Sequence, residues 1–274
     1  MPLVFGCVVP HGNVIPGLPG AERCAATTAA MRDVGRRLEA ARPETVVVVT
    51  PHGMRVDGAM AVSFSERAAG DLADEEPAEP IRVDMAVDVE LARALRERAE
   101  AAGVPVAALH YGATSGPADC YPLDWGAVVP LWFLGAHFAE PPRVVIAVPS
   151  RALPLEALVR FGRAVAEAAD AMGRRVALVA SADQAHAHSA EGPYGYDPAA
   201  AEFDAWVVEA VREQDLGRLL RADMELVRRA CPDALWQMLV LAGALERVPM
   251  RGELLSYEAP TYFGMLVAAY EPGV

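Results

Sequence analysis

The tripeptide Pro-His-Gly occurs twice, at Pro10-His11-Gly12 and Pro51-His52-Gly53, each time closing a run of β-branched residues. Imidazole titrates near neutral pH and ligates transition metals, so a pair of histidines can hold a cation or move a proton. A helix-like segment separates the two tripeptides. In a parallel α/β sheet, the strands on either side of one crossover helix run the same way and end at one edge. The repeat therefore predicts two imidazoles at the mouth of one crevice. His186 and His188, in Ser181-Ala182-Asp183-Gln184-Ala185-His186-Ala187-His188, follow another expected strand, so four of the six histidines converge on the same edge. Two imidazoles need a third ligand to fix a metal. Asp57, Asp119, Asp124, Asp183 and Glu258 all fall near expected strand ends. Glu258 closes the apolar run Leu254-Leu255-Ser256-Tyr257, and a carboxylate beside a buried strand needs a partner; Arg251 is a competing one. His110 opens a loop that could border the crevice, and Cys120, Tyr121 and Tyr262 are candidate lining residues.

The elements that must position these groups alternate. Strands are expected over residues 4–9, 45–50, 59–64, 104–109, 143–148, 175–180, 253–258 and 262–270. Helices are expected over 22–41, 87–102, 126–136 and 154–172, and from 198 to 246 with breaks near Asp215 and at Pro232. Residues 181–197 lack periodicity and read as an active-site loop. The continuous β-branched run at 45–50 is the kind found where helices cover both faces of a sheet. The pattern gives the α/β class, as a layered sandwich whose mostly parallel or mixed central sheet is flanked by helices. No linker or short-period repeat interrupts residues 1–274, so a single catalytic domain is expected.

Composition narrows the chemistry. The net charge is −13, which repels phosphate backbones and anionic lipids and argues against nucleic acid and membrane surfaces as partners. The acidic stretch 71–79, with Asp74, Glu75 and Glu76, reads as a solvated loop. All 24 basic residues are arginine, which excludes a Schiff-base lysine and a P-loop lysine. Four scattered cysteines form no metal or redox motif and read as reduced. No apolar run reaches the length of a membrane span, and the apolar start lacks the flanks of a signal peptide. A cytoplasmic protein is expected.

Four segments, in order, carry a family resemblance: Pro10-His11-Gly12; Pro51-His52-Gly53; Leu123-Asp124-Trp125-Gly126-Ala127-Val128-Val129-Pro130-Leu131; and Tyr257-Glu258-Ala259-Pro260-Thr261-Tyr262-Phe263-Gly264-Met265. Together they resemble the class III extradiol ring-cleavage dioxygenases, of the type of the catalytic β subunit of protocatechuate 4,5-dioxygenase. The resemblance implies a non-haem Fe(II) held by His11, His52 and Glu258, a two-His-one-carboxylate triad with open positions. It implies His186 as the acid/base histidine, with His188 as the alternative, and Gly12, Trp125, Tyr262 and His188 beside the substrate. The implied reaction opens a catechol-like or 2-aminophenol-like ring with O2, in a homo-oligomer that some relatives complete with a small separate subunit. Many relatives have His where Trp125 stands; an indole cannot transfer protons near neutral pH, so Trp125 is expected to reshape the pocket, the alternative being extradiol activity that is weakened or absent. Two other readings use the same scaffold: a zinc hydrolase built on the His/Glu crevice, and a Memo-like non-catalytic protein.

Overall fold

The computed structural model describes residues 2–12, 14–75, 77 and 80–273. The chain runs β1 (Leu3–Val9), α1 (Ala25–Ala41), β2 (Thr45–Val49), β3 (Met60–Ser63), β4 (Arg67–Asp71), β5 (Arg82–Ala86), α2 (Val89–Ala101), β6 (Val106–Leu109), β7 (Cys120–Pro122) and α3 (Trp125–Leu134). It continues through β8 (Arg143–Val148), α4 (Leu155–Met172), β9 (Val176–Ser181), α5 (Ala199–Arg212), α6 (Met224–Ala230), α7 (Ala234–Arg247), β10 (Arg251–Glu258) and β11 (Met265–Glu271). Eight strands form one mixed sheet in the order β10-β11-β1-β9-β2-β8-β3-β6.

Strand β2 shows why the sheet lies between two apolar layers. Successive side chains point to opposite faces. Val47 and Val49 enter a core shared with α2, α4, α5 and α7, while Val46 and Val48 enter a second core shared with α1 and α3. This is the layered sandwich expected from the alternation of elements. Among the described residues, no helix is long and apolar enough to cross a membrane.

Strands β1, β9, β2 and β8 are mutually parallel, so their C-terminal ends share one edge. Strand β9 lies between β1 and β2 and brings Ser181 and the loop after it between the two Pro-His-Gly turns. Strand β3 pairs antiparallel with β8, and β6 runs parallel to β3. That reversal puts His110, which follows β6, at the opposite edge, away from the crevice.

A second, three-stranded sheet, β5-β4-β7, packs on the α3 side; it was not expected from the sequence. Its strands are short, and Ala68, Ala69 and Gly70 give β4 little β-branched signal. The expected acidic loop lies between β4 and β5 and includes a 3-10 turn at Ala73–Glu75; Glu76 lies outside the described residues. The second expected strand of the C-terminal hairpin begins at Met265, which leaves Tyr262 in the connecting loop.

Helix α7 is inserted rather than laid on: its residues from Ala234 to Ala244 are all buried. It packs on α4 through two glycines. A Cβ at Gly162 would come 1.8 Å from the Val240 carbonyl oxygen, and one at Gly243 would come 1.9 Å from that of Val159. The two backbones touch, with no side chain that could yield. Gly243→Ala is therefore expected to lower stability by about 3 kcal/mol, read as a lower urea midpoint at unchanged slope.

Candidate metal centre

Three strand ends, of β1, β2 and β9, and the start of α7 build the site. His11 follows β1 and is 3% exposed. Its Nδ1 lies 3.0 Å from Ser181 Oγ, and that hydroxyl donates to the Gly126 carbonyl at 2.5 Å. With its proton spent there, the hydroxyl accepts from His11, so Nδ1 carries the hydrogen and Nε2 faces the site. Asp183 Oδ1 accepts the His11 backbone N–H at 2.9 Å. His52 follows β2; its backbone N–H donates to Thr50 Oγ1, which donates to Asp124 Oδ1.

The two imidazoles meet as the repeated motif predicts, with His11 Nε2 and His52 Nε2 3.1 Å apart. The carboxylate that joins them is Asp233. Its Oδ2 lies 3.2 Å from His11 Nε2 and 3.8 Å from His52 Nε2. Asp233 sits at the N-cap of α7 and is 5% exposed. Its other oxygen accepts the Asp183 backbone N–H at 3.0 Å, and Gln237, one turn on, donates to the Ser181 carbonyl at 3.0 Å. These two bonds stitch the head of α7 to the end of β9 and aim Oδ2 at the histidines.

Among the described residues, His11, His52 and Asp233 are the three whose ligating atoms converge within 4.8 Å. Ligands about 2.1 Å from one cation and at right angles stand about 3.0 Å apart, so separations of 3.1 to 3.8 Å fit a single ion. The surrounding carboxylates make the pocket favourable to positive charge. Burial opposes charge on His11, but Asp183, Asp233 and Asp124 outweigh it and hold the imidazole up at about 9. Burial and the charge of His11 push His52 down to about 4. Burial also raises Asp183 above the usual carboxylate range, against the pull of His11.

Glu258 does not reach this cluster. Strand β10 runs parallel to β1, so Glu258 ends at the right edge, but it is two strands from β1 and four from β2. At about 4.8 Å per strand, that is some 10 and 19 Å along the sheet. Its Oε1 instead accepts the backbone N–H of Thr27 at 2.8 Å and the Thr27 hydroxyl at 2.5 Å. Thr27 lies in the first turn of α1, where free N–H groups favour a carboxylate. His188 is also committed elsewhere: its Nε2 is 2.8 Å from Asp204 Oδ2, which accepts from the Tyr257 hydroxyl as well.

A cavity of about 680 Å³ opens over the cluster, lined among others by His11, Gly12, His52, Trp125, His186 and Tyr262. The Trp125 ring lies against His52, with centroids 4.1 Å apart. The Gly12 backbone is pressed on Phe263, where a Cβ would fall 2.3 Å from the ring. His186 stacks on the same phenyl ring at 5.5 Å and meets the rings of Tyr194 and Tyr262 at 5.7 and 5.9 Å. Its Nδ1 is buried without a hydrogen-bond partner among the described residues. Asp233 was missed in the sequence, where Pro232 reads only as a helix break. The available signal was a carboxylate directly after that proline, at the head of a helix whose run Ala234–Leu245 is apolar except for Gln237.

The Ser181 hydroxyl orients His11, so Ser181→Ala is expected to weaken metal binding about 10–100-fold with the fold intact. Competition with a chromophoric chelator, alongside circular dichroism, checks this.

Comparison with known proteins bears on the fold and the family. The chain is similar to an uncharacterized protein, JW3007 of Escherichia coli K12, whose crystal structure superposes with a TM-score of 0.62 at 18% identity, covering 97% of this chain and 99% of that one. At that identity the likeness shows the fold. It is 26% identical over 232 residues to Protein CA_C1420 of Clostridium acetobutylicum, covering 85% of this chain and 49% of the relative, so the chain spans about half that protein's length. Residues 6–268, which include both Pro-His-Gly turns and Asp233, match one family, and the chain belongs to it: the catalytic LigB subunit of aromatic ring-opening dioxygenase.

Proposed function

We propose that the protein is an Fe(II)-dependent extradiol dioxygenase that opens a catechol-like or 2-aminophenol-like ring with O2. The observation that carries this reading is the convergence of His11 Nε2, His52 Nε2 and Asp233 Oδ2 under an open cavity. Two imidazoles and one carboxylate form the donor set of non-haem iron oxygenases, which keep adjacent positions free. In this reading His11, His52 and Asp233 hold the iron, and Glu258 holds the head of α1. When bound, Fe(II) supplies the redox coupling between a chelated diol and dioxygen.

The remaining work falls to the chain itself. Ser181 and Asp183 fix His11 in one tautomer and one orientation. Trp125 and Phe263 give the cavity apolar surfaces against which an aromatic ring can lie. Trp125 is 52% exposed, so a ring seated beside it would remove indole surface from water and exclude solvent from the metal. His186, held between aromatic rings on the cavity wall, takes a phenolic proton and returns it.

The test is anaerobic reconstitution with Fe(II), addition of a panel of catechols and aminophenols, then oxygen. Ring opening is expected as a new long-wavelength absorbance with stoichiometric oxygen uptake. Tight iron binding with no oxygen uptake on any diol would overturn the reading. Turnover that persists with zinc under strict anaerobiosis would replace it with a hydrolase.

A further inference from the structure

A second cleft, of about 380 Å³, adjoins the main cavity and shares His52, His186 and Tyr194 with it. Asp233 forms part of its inner wall, and Arg151, Arg228 and Trp236 line it further out. Arg151 follows the C-terminal end of β8, the neighbour of β2, so it lies on the same sheet edge as the metal ligands. Its guanidinium sits over the Trp236 ring, 4.4 Å from the centroid. Among the described residues it has no carboxylate partner. Arg228, in the same cleft, donates twice to Glu225 at 2.9 and 2.5 Å and is spent.

Stacking on an indole uses the face of a guanidinium and leaves its edge N–H donors free. Those donors match a carboxylate in two parallel bonds. We infer that Arg151 is a specificity residue: it binds an anionic side arm of the substrate, whose ring occupies the main cavity and whose arm passes between His52 and His186 into the second cleft. The inference rests on the catechol reading above and narrows it to diols carrying an acidic chain rather than bare or neutral catechols.

The test measures binding, not turnover. Fe(II)-loaded full-length protein is titrated anaerobically with catechol, dihydrocaffeate and dihydrocaffeate methyl ester. Wild type is expected to bind the acid at least about tenfold more tightly than the ester, the worth of a charge-assisted hydrogen bond. Arg151→Gln is expected to erase that preference while leaving catechol affinity unchanged, and Arg228→Gln to keep it. Equal binding of acid and ester by wild type, or a preference that survives in a folded Arg151→Gln protein, overturns the role of Arg151 and leaves the catechol reading standing. Failure of all three probes to bind the iron-loaded protein overturns both. The wild-type comparison of acid with ester needs no variant to fold.

Discussion

Asp233→Ala is expected to strip the centre of its metal, lowering affinity by more than about 100-fold, since loss of even an outer-shell partner costs 10–100-fold. The carboxylate is buried, and one oxygen is already fixed by the Asp183 backbone N–H. Only the second oxygen is free, and it points at both imidazoles. Alanine leaves two histidines, with Asp183 Oδ2, 3.5 Å from His11 Nε2, as the nearest remaining carboxylate oxygen. Glu258→Gln gives the opposite pattern. It retains full metal content but weakens the bonds from Thr27 to the carboxylate, at a cost of about 1–3 kcal/mol in stability. Metal analysis after dialysis, paired with thermal melts, separates the two. Metal lost from the Glu258 variant and kept by the Asp233 variant would sink the assignment of Asp233.

That pair of residues also shows what the sequence could and could not reveal. His11 and His52 were legible because they sit two and three residues beyond the ends of buried parallel strands, where local pattern alone fixes the edge. The third ligand was not, because its position depends on strand order. Glu258 satisfies every local criterion, as a carboxylate closing an apolar strand on the same edge. Yet β10 pairs with β11 at the margin of the sheet, while β9 threads between β1 and β2. Nothing in the run 253–258 encodes that separation. Asp233 belongs to no strand; it enters through the packing of α7 on α4 and its bonds to β9, all long-range contacts. Trp125 and Gly12 line the cavity because they adjoin the motifs themselves. The β5-β4-β7 sheet escaped for a local reason, since a strand built on Ala68, Ala69 and Gly70 carries little propensity.

His186→Ala is expected to lower kcat by about 10²–10⁴-fold, the usual contribution of a positioned acid or base, while metal content and anaerobic catechol affinity stay near wild type. The ring makes no contact in the His11–His52–Asp233 cluster that would hold the metal. It is clamped by Phe263, Tyr194 and Tyr262, and its backbone N–H is fixed on the Ala230 carbonyl at 2.9 Å. The loop after β9 thus places an oriented imidazole on the wall of both cavities, with its Nδ1 buried and without a hydrogen-bond partner among the described residues. His188, two residues on, is the natural control. It borders neither cavity, and Asp204 holds it with Tyr257 in a buried network whose other carboxylate oxygen accepts the Ala185 N–H at 2.8 Å. His188→Gln should therefore act on the melting temperature and not on kcat. Single-turnover oxygen pulses on diol-loaded protein measure the chemical step, and exogenous imidazole should recover part of the His186→Ala rate by entering the space left between the rings. A His186→Ala protein that turns over at the wild-type rate would remove this histidine from proton transfer and leave the reacting diol to exchange protons with solvent through the open cavity.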